Sequence, residues 1–158
     1  LKALAGRSGD DEIDTGVAVP ESPGEPTTAA PPRKKFTPDR KPRIWVAGDS
    51  LVLTASGLPT AASTLFFQGT AQQNAGLGTL FGDGLRCASG TVIRLGTKTA
   101  SGGVVAYPGV GDLAVSVRGL VPVGGALRHY QGWYRNAARF CTPSTFNLTN
   151  GVGVDWQP

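Results

Sequence analysis

Short apolar runs separated by turn-forming residues dominate the chain from Arg43 onward. Ser50–Ser56 reads SLVLTAS and is followed by a Leu58-Pro59 turn; Thr64–Gln68 reads TLFFQ, Thr91–Leu95 TVIRL and Val104–Tyr107 VVAY. Leu113, Val115 and Val117 alternate with Ala114, Ser116 and Arg118, the period-two pattern of a half-buried strand. Ala126–Arg135, ALRHYQGWYR, is a longer run, and a pleated strand there puts Leu127, His129 and Trp133 on one face and Tyr130 and Tyr134 on the other. Val152, Val154 and Trp156 alternate with Gly153 and Asp155 near the C-terminal end. The best helical candidate is Gly69–Leu80, and its Gly76 and Gly78 argue for a loop instead. These runs predict an all-β fold, an antiparallel β-sandwich of about seven or eight short strands over residues 43–158.

Residues 1–42 have a different texture. Val19–Pro42, VPESPGEPTTAAPPRKKFTPDRKP, is rich in proline, threonine, alanine and charge. Such a segment buries too little apolar surface to offset its ordering entropy, so a disordered, extended linker is expected over 1–42. The acidic patch Asp10-Asp11-Glu12-Asp14 and the basic patch Arg33-Lys34-Lys35 read as solvating charges within it. The chain opens on Leu1 and contains no methionine, which suggests a fragment or a processed product. No run of eighteen apolar residues is present, so no membrane span is expected within these residues.

Charge bears on partners. Residues 1–50 hold eight basic and eight acidic side chains, and residues 51–158 hold seven basic and three acidic, so the net +4 arises in the second stretch. Its basic residues, from Arg86 to Arg139, are scattered rather than gathered in a stripe, which argues against a nucleic-acid partner.

Two resemblances carry further expectations. LVLTASGLP, LFFQGTAQQNAGLGTLFGDGLRC, GTVIRLG, HYQGWYRN and FNLTNGV together make residues 50–158 resemble a C-terminal domain that recurs in large secreted or surface proteins of planctomycete- and myxobacteria-like bacteria. That resemblance implies an extracytoplasmic β-domain and carries no activity with it. Ile44-Trp45-Val46-Ala47 followed by Gly48-Asp49-Ser50-Leu51 resembles instead the first block of the SGNH (GDSL) esterases and lipases, where a strand delivers a nucleophilic serine. The two meet at Gly48–Leu51, as either a fusion at a shared string or chance would produce.

The hydrolase reading asks for more than Ser50. A serine needs a base to take its proton and donors for the oxyanion. The resemblance implies a histidine in an Asp-x-x-His block and an asparagine in a Gly-x-Asn-Asp block. The one histidine, His129, has Ala126 three residues before it, and Asn74, Asn136, Asn147 and Asn150 all lack a following aspartate. A triad would require Ser50 and His129 to converge with Asp112 or Asp155. The plainer reading makes Gly48–Leu51 a turn entering a strand, with Asp49 and Ser50 as turn formers and Gly48 allowing an unusual backbone angle.

Cys87 and Cys141 are the only cysteines. They are too few for a zinc ribbon, and no metal or cofactor is implied. In a charge-poor, glycine-rich β-domain a Cys87–Cys141 disulfide is expected, worth about 4 kcal/mol in the chain-entropy description. Phe81–Cys87 contains an Asp83-Gly84 turn pair and reads as a hairpin rather than a calcium loop. Asn147-Leu148-Thr149 fits a glycosylation sequon but serves more simply as a turn before the last strand, helped by Asn150-Gly151. In the aromatic run, core packing is the first reading; as a sugar-stacking platform, Tyr130 and Tyr134 with Arg128 on their face are preferred over Trp133. The function expected is a non-catalytic, extracytoplasmic β-sandwich module with a structural, adhesion or carbohydrate-binding role, its partner a surface glycan or another surface protein. The alternative is an SGNH-type ester hydrolase, or a truncated piece of one, acting through Ser50 and His129.

Overall fold

Strand follows strand because the apolar positions recur every second residue and glycine, proline and asparagine interrupt them. In a computed structural model that describes residues 1–4, 41–137 and 142–158, these form β1 (Lys2–Leu4), β2 (Arg43–Trp45), β3 (Val52–Ala55), β4 (Ser63–Gln72), β5 (Thr79–Phe81), β6 (Gly84–Arg86), β7 (Ala88–Thr99), β8 (Val105–Tyr107), β9 (Ala126–Arg135), β10 (Phe146–Leu148) and β11 (Val152–Gln157). One short helix, α1 (Val115–Arg118), lies between β8 and β9. The described residues belong to one unit.

The architecture is an all-β sandwich. A six-stranded sheet runs β2-β11-β9-β4-β7, with β10 also on β9, and a three-stranded sheet runs β1-β3-β8. All pairings are antiparallel except β2 with β11, where Ile44 faces Trp156 in parallel. The inner face of the large sheet supplies Phe66, Tyr130, Val154 and Trp156, and the small sheet supplies Leu53, Ala55, Val105 and Tyr107; together they form the main core. Among the described residues of 43–158, ten strands (β2–β11) stand where seven or eight were expected, because short pairing segments such as β5 and β6 carry too few residues to show a period. Lys2–Leu4, expected within the linker, pairs with β3 through Lys2 opposite Thr54; residues 5–40, the rest of that expected linker, lie outside the described residues.

Inside the sandwich a polar chain crosses the core. Trp156 Nε1 donates to Tyr130 Oη (2.8 Å), Tyr130 Oη donates to Gln68 Oε1 (2.9 Å), and Gln68 Nε2 donates to the Gly119 carbonyl (2.7 Å). Tyr130 and Gln68 are fully buried, and the Trp156, Tyr130 and Gln68 donors of this relay each have an acceptor, as a low-dielectric interior requires.

The segment Leu113–Arg118 departs from expectation: its alternation does not make a strand. Val115 and Ser116 are buried together while Leu113 and Val117 are exposed, which one helical turn achieves and an extended strand does not. Asp49 Oδ2 accepts the Ser116 N–H at 2.6 Å, so a residue far away in sequence holds the turn.

Candidate functional site

Gly48–Leu51 is a turn. A 3-10 turn over Val46–Gly48 leads into Asp49, whose carboxylate accepts the Leu51 N–H (3.0 Å) through Oδ1 and the Ser116 N–H through Oδ2. Leu51 then enters the core. Gly48 does not take a positive φ, so the unusual angle expected there is not used.

Ser50 and His129 are not brought into one centre. The turn holding Ser50 is tied to the inner layer through Asp49 and Leu51, whereas His129, one residue before the inward Tyr130, projects from the outer face of the large sheet. There it lies beside Gly153 and lines a recess with Cys87 and Gln72. Burial, then the charges of Lys41 and Arg128, hold its pKa below the ordinary histidine value. Of the two proposed acids, Asp112 pairs with Lys98 at 2.5 Å and accepts the Gly109 N–H, and Asp155 stands 3.9 Å from Arg43.

The structural role of Asp49 is testable. Asp49→Ala should lower stability by about 1.5–3 kcal/mol, the worth of hydrogen bonds to a charged acceptor, and Ser50→Ala by no more than about 1.5 kcal/mol. Urea unfolding measures both, and a fluorophosphonate probe should leave Ser50 unlabelled. Stoichiometric labelling of Ser50 would reverse this assignment.

The Arg128, Tyr130 and Tyr134 platform requires correction. Tyr130 is fully buried and its hydroxyl is occupied by Trp156 and Gln68. Burial pushes its pKa far above the ordinary tyrosine value. Tyr134 is half-buried and packs on the core, and its pKa is raised by burial and then by the Asp83 charge. Arg128 is half-buried too; its Nη1 donates to the Leu127 carbonyl, and its Nε is buried with no hydrogen-bond partner among the described residues. The face that Arg128 marks is therefore the inward one.

The outer face carries a partly covered aromatic cluster. Phe67, Ala88 and Leu148 form a second, smaller core there, with Trp133 packed against it. The β5–β6 hairpin leans over this surface. Gly82 opens its two-residue turn with φ +64°, and a β-carbon there would overlap the Phe146 ring. The Asp83 N–H donates to the Phe146 carbonyl, and its Oδ1 accepts from Thr142. The turn pair is thus Gly82-Asp83 rather than Asp83-Gly84, but the hairpin stands as expected.

Between hairpin and sheet lies a groove of about 590 Å³. Leu65, Phe67 and Leu148 form its floor. Phe81, Phe146 and Trp133 form one wall, with ring centroids 5.3 and 5.4 Å apart in succession, and Arg86 and Arg94 stand among the lining residues. The Arg135 guanidinium lies 5.0 Å from the centre of the Trp133 ring. Phe81 is 44% exposed, and Trp133 is half-buried. An apolar floor with aromatic edges can stack on the C–H face of a sugar ring, and guanidinium groups can bind carboxylate or hydroxyl. No group of three potential metal ligands occurs among the described residues.

Fully buried Gln131 joins the groove to its supports. Its Oε1 accepts the Cys87 and Ala88 N–H groups, and its Nε2 donates to the Leu85 and Thr149 carbonyls. Thr149 fills the break between β10 and β11: its N–H donates to the Gly132 carbonyl and its Oγ1 accepts the Gly132 N–H. The Asn147-Leu148-Thr149 sequence is thus spent on strand and break. No disulfide forms among the described residues; Cys141, the expected partner of Cys87, lies outside them.

No family profile, curated protein or solved structure matches the chain. None of the helices among the described residues is long and apolar enough to cross a membrane.

Proposed function

We propose that the chain is a non-catalytic binding module of the cell exterior that takes carbohydrate in the groove between the β5–β6 hairpin and the outer face of the large sheet. The observation that carries this reading is the groove itself. Trp133, Phe81 and Phe146 line it where a folded domain would otherwise cover such side chains, and two arginines stand beside them. Large, partly exposed aromatics in a concave surface are worth more as ligand contacts than as core. The arginines favour sugars bearing carboxylate over neutral ones. The sparse charge and high glycine content suit an exported β-domain.

Isothermal titration with an oligogalacturonate and with a neutral cello-oligosaccharide tests this. The acidic oligomer should bind more tightly, and Trp133→Ala should weaken it at least tenfold, which corresponds to about 1.4 kcal/mol of lost stacking. An unchanged unfolding midpoint would show that the loss is local. Absence of binding to either oligomer, or binding indifferent to Trp133→Ala, would remove the proposal.

A further inference from the structure

A second surface lies at the margin of the large sheet. β7 is its outermost strand, and no strand pairs with the far edge of β7 among the described residues. The Thr91 N–H donates to Thr70 Oγ1 on the β4 side. Val92, Ile93 and Arg94 run along that open edge, and the Leu95 carbonyl is reached there by Arg118. A row of unpaired main-chain groups is a template for another strand.

Alongside that edge lies a recess of about 580 Å³, lined by Val92, Ile93 and Arg94 from β7 and by Leu113, Val117, Arg118 and Leu120 from α1 and its flanks. Leu113 is 56% exposed, Val117 57% and Leu120 74%. Leu120 also holds φ +50°, an angle that residues other than glycine seldom adopt. These aliphatics are not loose. The Asp49–Ser116 bond, the Gln68 Nε2 bond to the Gly119 carbonyl and the Tyr107 Oη bond to the Leu113 carbonyl (3.2 Å) fix the wall from within. Arg118 Nε donates to the Leu95 carbonyl at 3.1 Å and lays its guanidinium along the strand edge. The core thus holds the segment in place with its apolar side outward.

The geometry points to strand addition: an extended peptide pairs with β7 beside Val92 and Arg94, seats alternate aliphatic side chains against Leu113, Val117 and Leu120, and offers carboxylates to Arg94 and Arg118. Main-chain pairing supplies the affinity and the recess supplies the selection. A second copy of this chain is a poorer occupant. Antiparallel β7–β7 pairing would bring the Arg94 and Arg118 groups of both copies together. Within residues 41–158 the acids are Asp49, Asp83, Asp112 and Asp155, and each already has hydrogen-bond or ion-pair partners. An acidic strand from another protein answers both the edge and the charge.

Fluorescence anisotropy with the full chain and a dye-labelled peptide of alternating valine and glutamate decides it. The peptide should bind. Replacing its glutamates by lysine, or N-methylating alternate amides, should weaken binding at least tenfold. Val117→Asp should do the same, and because Val117 is exposed its unfolding midpoint should hold. Trp133→Ala should leave peptide binding unchanged, because the strand edge shares Val92 and Arg94 with the carbohydrate groove but not Trp133. No binding of the valine–glutamate peptide, or binding that survives both N-methylation and Val117→Asp, would overturn the inference. So would a concentration-dependent dimer in sedimentation that Val117→Asp dissolves, since a second copy would then be the occupant.

Discussion

Gln131→Leu should destabilise the protein by about 3–5 kcal/mol, because several buried or part-buried backbone groups lose their partners at about 1–3 kcal/mol each, with the more accessible ones regaining water. Leucine nearly matches glutamine in volume, so the effect isolates the amide. In the native protein that one amide serves the Cys87 and Ala88 N–H groups and the Leu85 and Thr149 carbonyls. These four positions surround a fully buried site. A loss of this size is a large fraction of the roughly 5–15 kcal/mol that holds a domain together. Urea unfolding at unchanged m-value measures it. Gln131 also anchors the base of the hairpin over the groove, so carbohydrate affinity should fall in the same variant at temperatures where it remains folded. A change below about 1 kcal/mol would mean that the four groups find water or each other, and would contradict the assignment.

Tyr130→Phe should cost about 2–4 kcal/mol although it removes a single oxygen. That oxygen is the middle of the core polar chain: it accepts from Trp156 Nε1 and donates to Gln68 Oε1. Its loss leaves a buried indole N–H without an acceptor and a buried amide oxygen without a donor. The remaining Gln68 Nε2 bond to the Gly119 carbonyl keeps that side chain from turning to compensate. Adding Gln68→Leu to Tyr130→Phe should therefore cost less than the two single changes together, since each already breaks the same link. Thermal unfolding of the three variants checks this. Strict additivity would show that Tyr130 and Gln68 act independently. The carbohydrate groove lies on the opposite face of the sheet, so sugar affinity should not change with Tyr130→Phe.

Both predictions depend on which way β9 faces, and here sequence and tertiary structure divide the work. Alternation placed Tyr130 and Tyr134 opposite Leu127, His129 and Trp133, and the strand over Ala126–Arg135 has those limits and that division. A pleat has a period of two whatever lies around it, so the pairing of faces is a local property. The turn at Gly48–Leu51, the hairpin before Cys87 and the strand at the C-terminal end are local in the same way: their turn residues and β-branched or aromatic partners sit next to one another in the chain.

Which face becomes the interior is not local. The large sheet carries apolar side chains on both faces, Phe66 and Tyr130 on one and Phe67 and Trp133 on the other. Arg128 is half-buried on the inner face, so charge alone pointed the wrong way. Only the packing of the three-stranded sheet decides between them. Likewise Leu113–Arg118 has a strand's alternation, yet Asp49 reaches across from another layer and caps a helical turn. The groove draws Leu65, Phe81, Arg94, Trp133 and Phe146 from separate strands, and the β7 edge is open only because the sheet order ends there. Chain order does not encode spatial neighbours when contacts are this far apart in sequence. For this protein the sequence determined the strands and their two faces; the stacking of the sheets decided which face was buried and which surfaces were left to bind.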